Sequence, residues 1–315
     1  MTAPPDRIFA ALCMIVVYAT VIGFADNFVR VVAVEAGLWQ FHAMRSGFAL
    51  PLIALIVLVL RHPIWPRKRR AVAARSTIHG LAMLVYFGAL AYLPVAIVAA
   101  GLFTAPLFVL LISRVLYAEP ISAVQVVAVL MGFGGVIMLL GPAAMTGASV
   151  AAVLPMLAGA LYAMGNIATR RWCEGESAET LLAGFFMALC VLGGVGLVTL
   201  MLFPQPVPDG AAGFIFRGWV APAGAFLFWT VVQAVISVVG VGLMIRAYQI
   251  APAPTVSVFE YIILPTSAIW GLIIWDETLS LTAIIGMGLI ALAGAVIAFA
   301  PGKSLKDQAP TAARQ

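Results

Sequence analysis

The sequence predicts an all-α integral membrane protein, with ten transmembrane helices arranged as an inverted repeat of five plus five. Three observations carry the prediction. Of 315 residues, 64% are hydrophobic and 9% charged, against roughly 45–50% and 25% in soluble domains. The apolar residues form long runs separated by short polar breaks. The second half of the chain repeats features of the first.

The composition excludes an ordinary soluble domain and a disordered chain. A span needs about 20 mostly apolar residues, so the roughly 200 apolar residues present suffice for about ten. The runs fall at 8–32, 38–60, 76–93, 95–117 and 121–140, then at 150–171, 178–203, 222–249, 253–275 and 280–299. Their breaks carry loop chemistry: Arg61-His62-Pro63, Tyr92-Leu93-Pro94, Gly141-Pro142, the proline-rich 204–208 and Ala251-Pro252. The runs lack the alternation of a barrel, and a helix satisfies its own backbone groups in lipid. The first run is too long for a signal peptide, and it carries Asp26, Asn27 and Arg30 where a cleavage region would fall. It is read as a span. The net charge is +5, but the basic residues sit between and after the apolar runs, as positive-inside anchors do. Nucleic-acid binding is not expected. Cys13, Cys173 and Cys190 form no CxxC pair, and no metal or other cofactor is implied.

A shift of 158 residues superimposes Ala89 on Ala247, Pro94 on Pro252, Val98 on Val256, Glu119 on Glu277 and Ser122 on Ser280. A shift of 139 brings Asn27 of span 1 onto Asn166 of span 6. The change of shift places the extra length in the 204–221 loop. Five helices per unit is odd, so the second unit enters the membrane upside down, and equivalent loops should differ in basic content. They do. Loop 2–3 holds Arg61, Arg67, Lys68, Arg69, Arg70 and Arg75, whereas loop 7–8 holds only Arg217, with Asp209. The N-terminus, loop 2–3, loop 6–7 (Arg170, Arg171) and the tail (Lys303, Lys306, Arg314) are therefore expected in the cytoplasm. The units are residues 8–140 and 150–299, followed by a polar 300–315 tail expected to be disordered. An inverted repeat is the architecture of many secondary transporters.

Several segments resemble a known family. They are Gly23-Phe24-Ala25-Asp26-Asn27-Phe28, Ala43-Met44-Arg45-Ser46 and Ala105-Pro106-Leu107-Phe108 through Glu119-Pro120-Ile121-Ser122. To these are added Phe259-Glu260-Tyr261 and Trp270-Gly271 through Asp276-Glu277. Together with the duplication they resemble EamA-type members of the drug/metabolite transporter superfamily, over about residues 8–299. The resemblance implies ten helices in two EamA-like five-helix repeats. It also implies a central cavity lined mainly by spans 1, 3, 4, 6, 8 and 9, and the movement of amino acids or other small metabolites. Spans 5 and 10 support dimer contacts in the family, so a homodimer is an expectation here. Many members read Trp-Gly-Ser-Asn-Phe where this chain reads Phe24-Ala25-Asp26-Asn27-Phe28, and the acid at Asp26 bars a simple transfer of substrate. The 261–277 stretch looks more like the branch of S-adenosylmethionine and riboflavin carriers than like the amino-acid exporters.

Ionisable groups inside a span cost about 2.5–3.5 kcal/mol on insertion scales and are kept when paired or functional. Arg45 lies roughly 10 Å into span 2 at 1.5 Å per residue. It either holds a substrate carboxylate or pairs with Asp26 or Glu35. Asp26 and Arg30 are four residues apart and share a helix face, so they can pair. Asn27 and Asn166 either contact substrate or bridge helices. Glu260, between two aromatics in span 9, is a proton or cation site, or else a partner of Arg246; a buried carboxylate can titrate near neutrality. Glu119 and Glu277 are read as capping and anchoring groups at the ends of spans 4 and 9. Tyr86, Phe103, Tyr162, Trp229, Tyr261 and Trp270 are cavity aromatics or packing residues, and Gln233 is too polar to face lipid. His79 is placed by the basic loop, solvated. The glycines Gly132, Gly134, Gly135, Gly286, Gly288 and Gly294 read as close helix packing.

The function expected is a secondary transporter in a bacterial-type cytoplasmic (inner) membrane, multi-pass, with both termini inside. It would move an amino acid or a heteroaromatic metabolite such as S-adenosylmethionine or riboflavin by alternating access. Its partners are a small-molecule substrate and the lipid bilayer. Proton coupling through Glu260 or Asp26, exchange and facilitated diffusion are all compatible with the sequence. An intramembrane lipid-modifying enzyme would need clustered acids or a zinc-binding His pair. A channel would need repeated carbonyl loops or charged rings. Neither pattern is present, and the chain is not expected to be an enzyme.

Overall fold

The computed structural model describes residues 5–61, 64–93, 95–141, 153–222 and 224–299. The expectations for His62, Pro63, Pro94, Pro142 and the 300–315 tail lie outside the described residues. Among the described residues all regular structure is helical. The first helices are α1 (Pro5–Asp26), α2 (Val29–Glu35), α3 (Leu38–Leu60), α4 (Arg69–Ala89), α5 (Val95–Leu102), α6 (Ala105–Val115) and α7 (Ala123–Leu140). They are followed by α8 (Val153–Arg171), α9 (Ala178–Leu202), α10 (Gly224–Ile250), α11 (Ala253–Phe259), α12 (Ile263–Trp275) and α13 (Leu281–Phe299). Short 3-10 turns cover Gly210–Phe214 and Glu260–Ile262.

Eight helical stretches among the described residues are long and apolar enough to cross a membrane. The pairs α1–α2, α5–α6 and α11–α12 each count as one stretch. The helices α4 and α8, third and sixth of the expected ten, fall outside the eight. At 21 and 19 residues they reach about 28–32 Å at 1.5 Å per residue. Their composition is more polar: α4 carries Arg69, Arg70, Arg75 and His79, and α8 carries Asn166, Arg170 and Arg171. Helix α4 starts at Arg69, well ahead of the expected start at 76. A helix does not end where its apolar stripe ends, so Arg75 belongs to a helix and not to a loop.

The three interrupted helices have identifiable causes. Proline lacks an N–H and its ring clashes with the carbonyl four residues earlier. Pro106 stands four residues after Leu102, the last residue of α5, and Pro265 stands four after Tyr261, in the turn before α12. At the first break the Gly101 carbonyl accepts from the Thr104 backbone N–H at 3.2 Å and from its hydroxyl at 2.6 Å. The break between α1 and α2 has no proline. There the Asn27 side-chain amide donates to the Gly23 carbonyl at 2.8 Å, competing with the backbone for the acceptor four residues back. The helices α7 and α13 begin at serine caps, as the sequence leads one to expect. Ser122 and Gln125 form a reciprocal capping box, and Ser280 accepts from the Ala283 N–H.

Packing pairs α7 with α13, α3 with α9, α4 with α8, and α1 with α10 and α12. The first pair rests on glycine: a Cβ on Gly135 would lie 2.7 Å from the Gly286 carbonyl oxygen. Gly132 holds the Tyr261 ring in the same way, whereas Gly134 and Gly288 face open space. Side chains tie together two distinct faces. On one, the basic face, Lys68 N–H donates to Glu176, Arg170 donates to the Ala251 carbonyl and Gln249 donates to the Glu176 carbonyl. On the opposite face, Trp39 donates to the Ile215 carbonyl, Arg217 to the carbonyls of Ala33 and Ala36, and Phe226 N–H to Glu35.

Candidate functional site

A cavity of about 890 Å³ runs between the helices. That volume suits a small-molecule ligand. Its lining reaches Gly210, Arg217 and Glu277 on the opposite face, and it includes no residue of the 172–177 or 116–122 loops of the basic face. Its floor is therefore on the side of the basic face.

Glu260 sits in the floor, at the first residue of the turn that Pro265 forces between α11 and α12. The break turns its carboxylate inward, where it is 5% exposed. Tyr162 donates to its Oε1 and Tyr248 to its Oε2, both at 2.6 Å. The Tyr18 hydroxyl lies 3.4 Å from that of Tyr162. Tyr162 also stands edge-on to the His79 ring, with centroids 5.2 Å apart. One turn before His79 on α4, Arg75 is buried and lines the cavity. It donates from Nε to Thr169 Oγ1 (2.9 Å) and from Nη1 to the Leu181 carbonyl (3.1 Å).

Nearer the opposite face, Arg45 is buried against Phe41, its guanidinium carbon 5.0 Å from the ring centroid, with Nη2 3.3 Å from His42 Nδ1. Asp26 ends α1 and is exposed to the cavity. Asn27 donates to the Ser267 backbone oxygen (3.1 Å) and hydroxyl (3.3 Å), joining α1 to α12. Gln233 donates to the Ala25 carbonyl at 3.2 Å. Both side chains line the cavity, as do Tyr86 and Phe103.

Several pairings expected from the sequence are replaced by others. Arg30 does not pair with Asp26. The helix breaks between them, and Arg30 pairs with Glu277 at 2.8 Å and lies over Trp275. Arg45 forms no ion pair with Glu35, whose carboxylate accepts from Phe226 N–H; it makes no direct contact with Asp26, although the two opposite charges act on each other at longer range. Arg246 turns to Gln249 and not to Glu260. Glu119 pairs with Arg171, so both Glu119 and Glu277 are ion-pair partners rather than helix caps. His79 is 2% exposed, not solvated. Asn166, Trp229 and Tyr261 are placed behind the cavity wall. Trp229 stacks on Phe28 at 3.4 Å, and Tyr261 is fully buried against Gly132. Trp270 donates to the Thr20 carbonyl and ties α12 to α1. Sequence reasoning missed Arg75, Tyr18 and Tyr248 as site residues. The spacing of Arg75 and His79, four apart and therefore on one helix face, is the signal that could have found the first.

A helical membrane protein with a polar, aromatic-walled central cavity belongs to the class of small-molecule transporters, and comparison with known proteins agrees. The model of the EamA-like transporter family matches residues 9–141. An uncharacterised transporter of Helicobacter pylori is 23% identical over 301 residues, covering 93% of this chain and 96% of its own. A riboflavin transporter of Rhizobium johnstonii is 24% identical, covering 75% and 71%. A pseudopaline exporter of Pseudomonas aeruginosa is 26% identical, covering 76% and 79%. One crystal structure matches with a TM-score of 0.71 at 18% identity, covering 93% of this chain and 97% of that one, and it shows a shared fold. The family match over residues 9–141 and the relatives named as transporters support a membrane transporter of the EamA type within the drug/metabolite transporter superfamily.

Proposed function

We propose that the protein is a secondary transporter of a small metabolite, working by alternating access across the bacterial cytoplasmic membrane and performing no chemistry on its cargo. The observation that carries the reading is a cavity whose lining reaches one face and stops short of the loops of the other, although side-chain ties are present at both. Ten spans in two inverted five-helix units, 8–140 and 150–299, account for the placement of those ties. Each ion pair joins the end of one unit's first span to the glutamate after the other unit's fourth span. With the basic face in the cytoplasm, the described conformation is open to the outside.

The cargo class is an amino acid or a flat heteroaromatic metabolite. The cavity offers charges of both signs, at Arg45 and Asp26 and at Arg75 and Glu260, among aromatic walls. Relatives named for riboflavin and for pseudopaline fit a cavity of that kind. Glu260 is the coupling site for protons: a carboxylate at the cavity floor, held by two tyrosine hydroxyls, with no cation in ion-pair contact among the described residues.

The test is uptake into proteoliposomes of labelled amino acids, S-adenosylmethionine and riboflavin, with and without a proton gradient. Saturable uptake of one compound that is lost on changing Asn27 supports the reading. Uptake of none of them would sink the cargo classes named here.

A further inference from the structure

Arg75 is a buried cation on α4 with no carboxylate in ion-pair contact among the described residues. It is 1% exposed, and its two hydrogen bonds go to neutral oxygens of Thr169 and Leu181. Those bonds orient the guanidinium without cancelling its charge. One turn on, His79 is 2% exposed, and neither ring nitrogen has a hydrogen-bond partner. Its ring rests on Gly165, where a Cβ would come within 2.4 Å of Nδ1, so no residue larger than glycine would leave room for it. The next residue, Asn166, is 1% exposed, and both atoms of its side-chain amide are unpartnered. Buried polar groups are almost always satisfied. Here three neighbouring residues on α4 and α8 hold an uncompensated positive charge and several unused donors, and two of them line the cavity.

The nearest acid of the floor does not serve them. Glu260 already accepts from Tyr162 and Tyr248, and the Tyr162 ring stands between it and His79. The acceptors within the cluster, Asn166 Oδ1 and one nitrogen of a neutral His79, are uncharged, and a carboxylate is the group that would answer the guanidinium charge and an imidazole N–H together. We propose that Arg75 and His79, with Asn166 behind the His79 ring, form an anion subsite at the cavity floor that takes the carboxylate of the transported metabolite. The cargo is then a carboxylate-bearing solute, which separates amino-acid-like compounds from neutral flavins within the classes named above. The inference rests on the reading of the cavity as the cargo site.

The experiment is equilibrium binding to the purified full-length protein in nanodiscs, using a matched pair of probes, indole-3-acetate and indole-3-acetamide. They differ only in replacing a carboxylate with a neutral amide. The wild type should prefer the acetate by about tenfold or more, the scale of one charge-assisted hydrogen bond. Arg75→Gln should bring the acetate down toward the level of the amide, lowering acetate binding several-fold more than amide binding. A purely structural role for Arg75 would weaken both probes alike. Arg75→Lys and His79→Gln, each keeping a donor, test the subsite should Arg75→Gln fail to fold. The lysine should keep part of the preference and the glutamine should lose several-fold of it. Equal binding of the two probes, an undiminished preference in the folded variants, or no binding of indole-3-acetate, benzoate or succinate at about 10 mM would each overturn the proposal. Failure of transport with the acetate preference intact would instead count against the carrier reading alone.

Discussion

Arg171, the last residue of α8, forms an ion pair with Glu119, in the loop between α6 and the Ser122 cap of α7. The contact is reinforced nearby: Trp172 donates to the Tyr117 hydroxyl at 2.9 Å, and the Arg171 guanidinium lies 5.2 Å from the Tyr117 ring centroid. An exposed ion pair alone stabilises by roughly 0–1 kcal/mol. A face closed by several such ties can therefore open without a large barrier. Cys173 lies just beyond the pair and is 1% exposed. Burial pushes its thiol up from the ordinary range, so it carries less of the reactive thiolate than a free cysteine at the same pH. In a protein with Cys13 and Cys190 changed to serine, Arg171→Ala should raise the rate of Cys173 modification by a maleimide several-fold. Opening both uncovers the sulfur and brings its pKa back down. The double exchange Arg171→Glu with Glu119→Arg should restore protection. An unchanged rate in Arg171→Ala would show that the pair does not hold this face shut.

Asn27 and Asn166 are matched in sequence but not in bonding. Asn27 makes three hydrogen bonds, two of them across to Ser267 on α12, whereas the Asn166 amide makes none of good geometry and has the side chains of His79 and Tyr248 as polar neighbours. Asn27→Ala should lower stability by about 1–3 kcal/mol, the scale of leaving buried acceptors unsatisfied. Asn166→Ala should leave stability close to wild type and yet weaken binding of a carboxylate ligand. Thermal unfolding in detergent checks the first expectation, and the probe pair described above checks the second.

These contrasts show what could be read from the residues alone. The matching helix starts at Ser122 and Ser280 were legible because each depends on local sequence, the serine capping the residue three positions on. Helical class and long apolar runs were legible for the same reason. The partner of Arg30 was not. The four-residue rule assumes a continuous helix, and the break after Asp26 turns Arg30 toward a glutamate 247 positions away. Arg75 escaped notice because hydropathy ends a span where the charges begin, whereas α4 continues through them, with Arg69 and Arg70 exposed and Arg75 turned inward. Glu260 was found as a buried acid in an apolar run, but its tyrosine clamp depends on how α8, α10 and the α11–α12 turn converge.

The glycine seam between α7 and α13 gives a test of packing. A side chain at Gly135 meets the backbone of α13, with the Gly286 oxygen 2.7 Å from the position of a Cβ. Backbone cannot rotate aside as a side chain can, so the helices must part. Gly135→Leu should destabilise by about 1–3 kcal/mol or more, as overpacking does. Gly134→Leu, one residue along the same helix but facing open space, should be close to neutral. If the two substitutions lower the unfolding temperature equally, the α7–α13 contact is not the one described.

Glu260 gives the sharpest test of coupling. Both of its oxygens accept from tyrosine hydroxyls at 2.6 Å, so removing the side chain outright would orphan two buried donors and confound stability with mechanism. Glutamine avoids this. Its amide oxygen can still accept from one tyrosine, and its amide nitrogen can donate to the other, because a phenolic oxygen both donates and accepts. The fold should therefore survive Glu260→Gln, while the group able to gain and lose a proton is gone. A gradient of one pH unit is worth about 1.4 kcal/mol per coupled proton, or about tenfold accumulation. Wild-type proteoliposomes should approach that ratio for the transported solute. The Glu260→Gln protein should equilibrate the solute without accumulating it, and should still exchange labelled for unlabelled solute. Tyr162→Phe and Tyr248→Phe each leave one carboxylate oxygen without its donor and should shift the pH dependence of accumulation rather than abolish it. Full gradient-driven accumulation by Glu260→Gln would move the coupling group elsewhere in the cavity, with Asp26 the remaining membrane carboxylate that faces it.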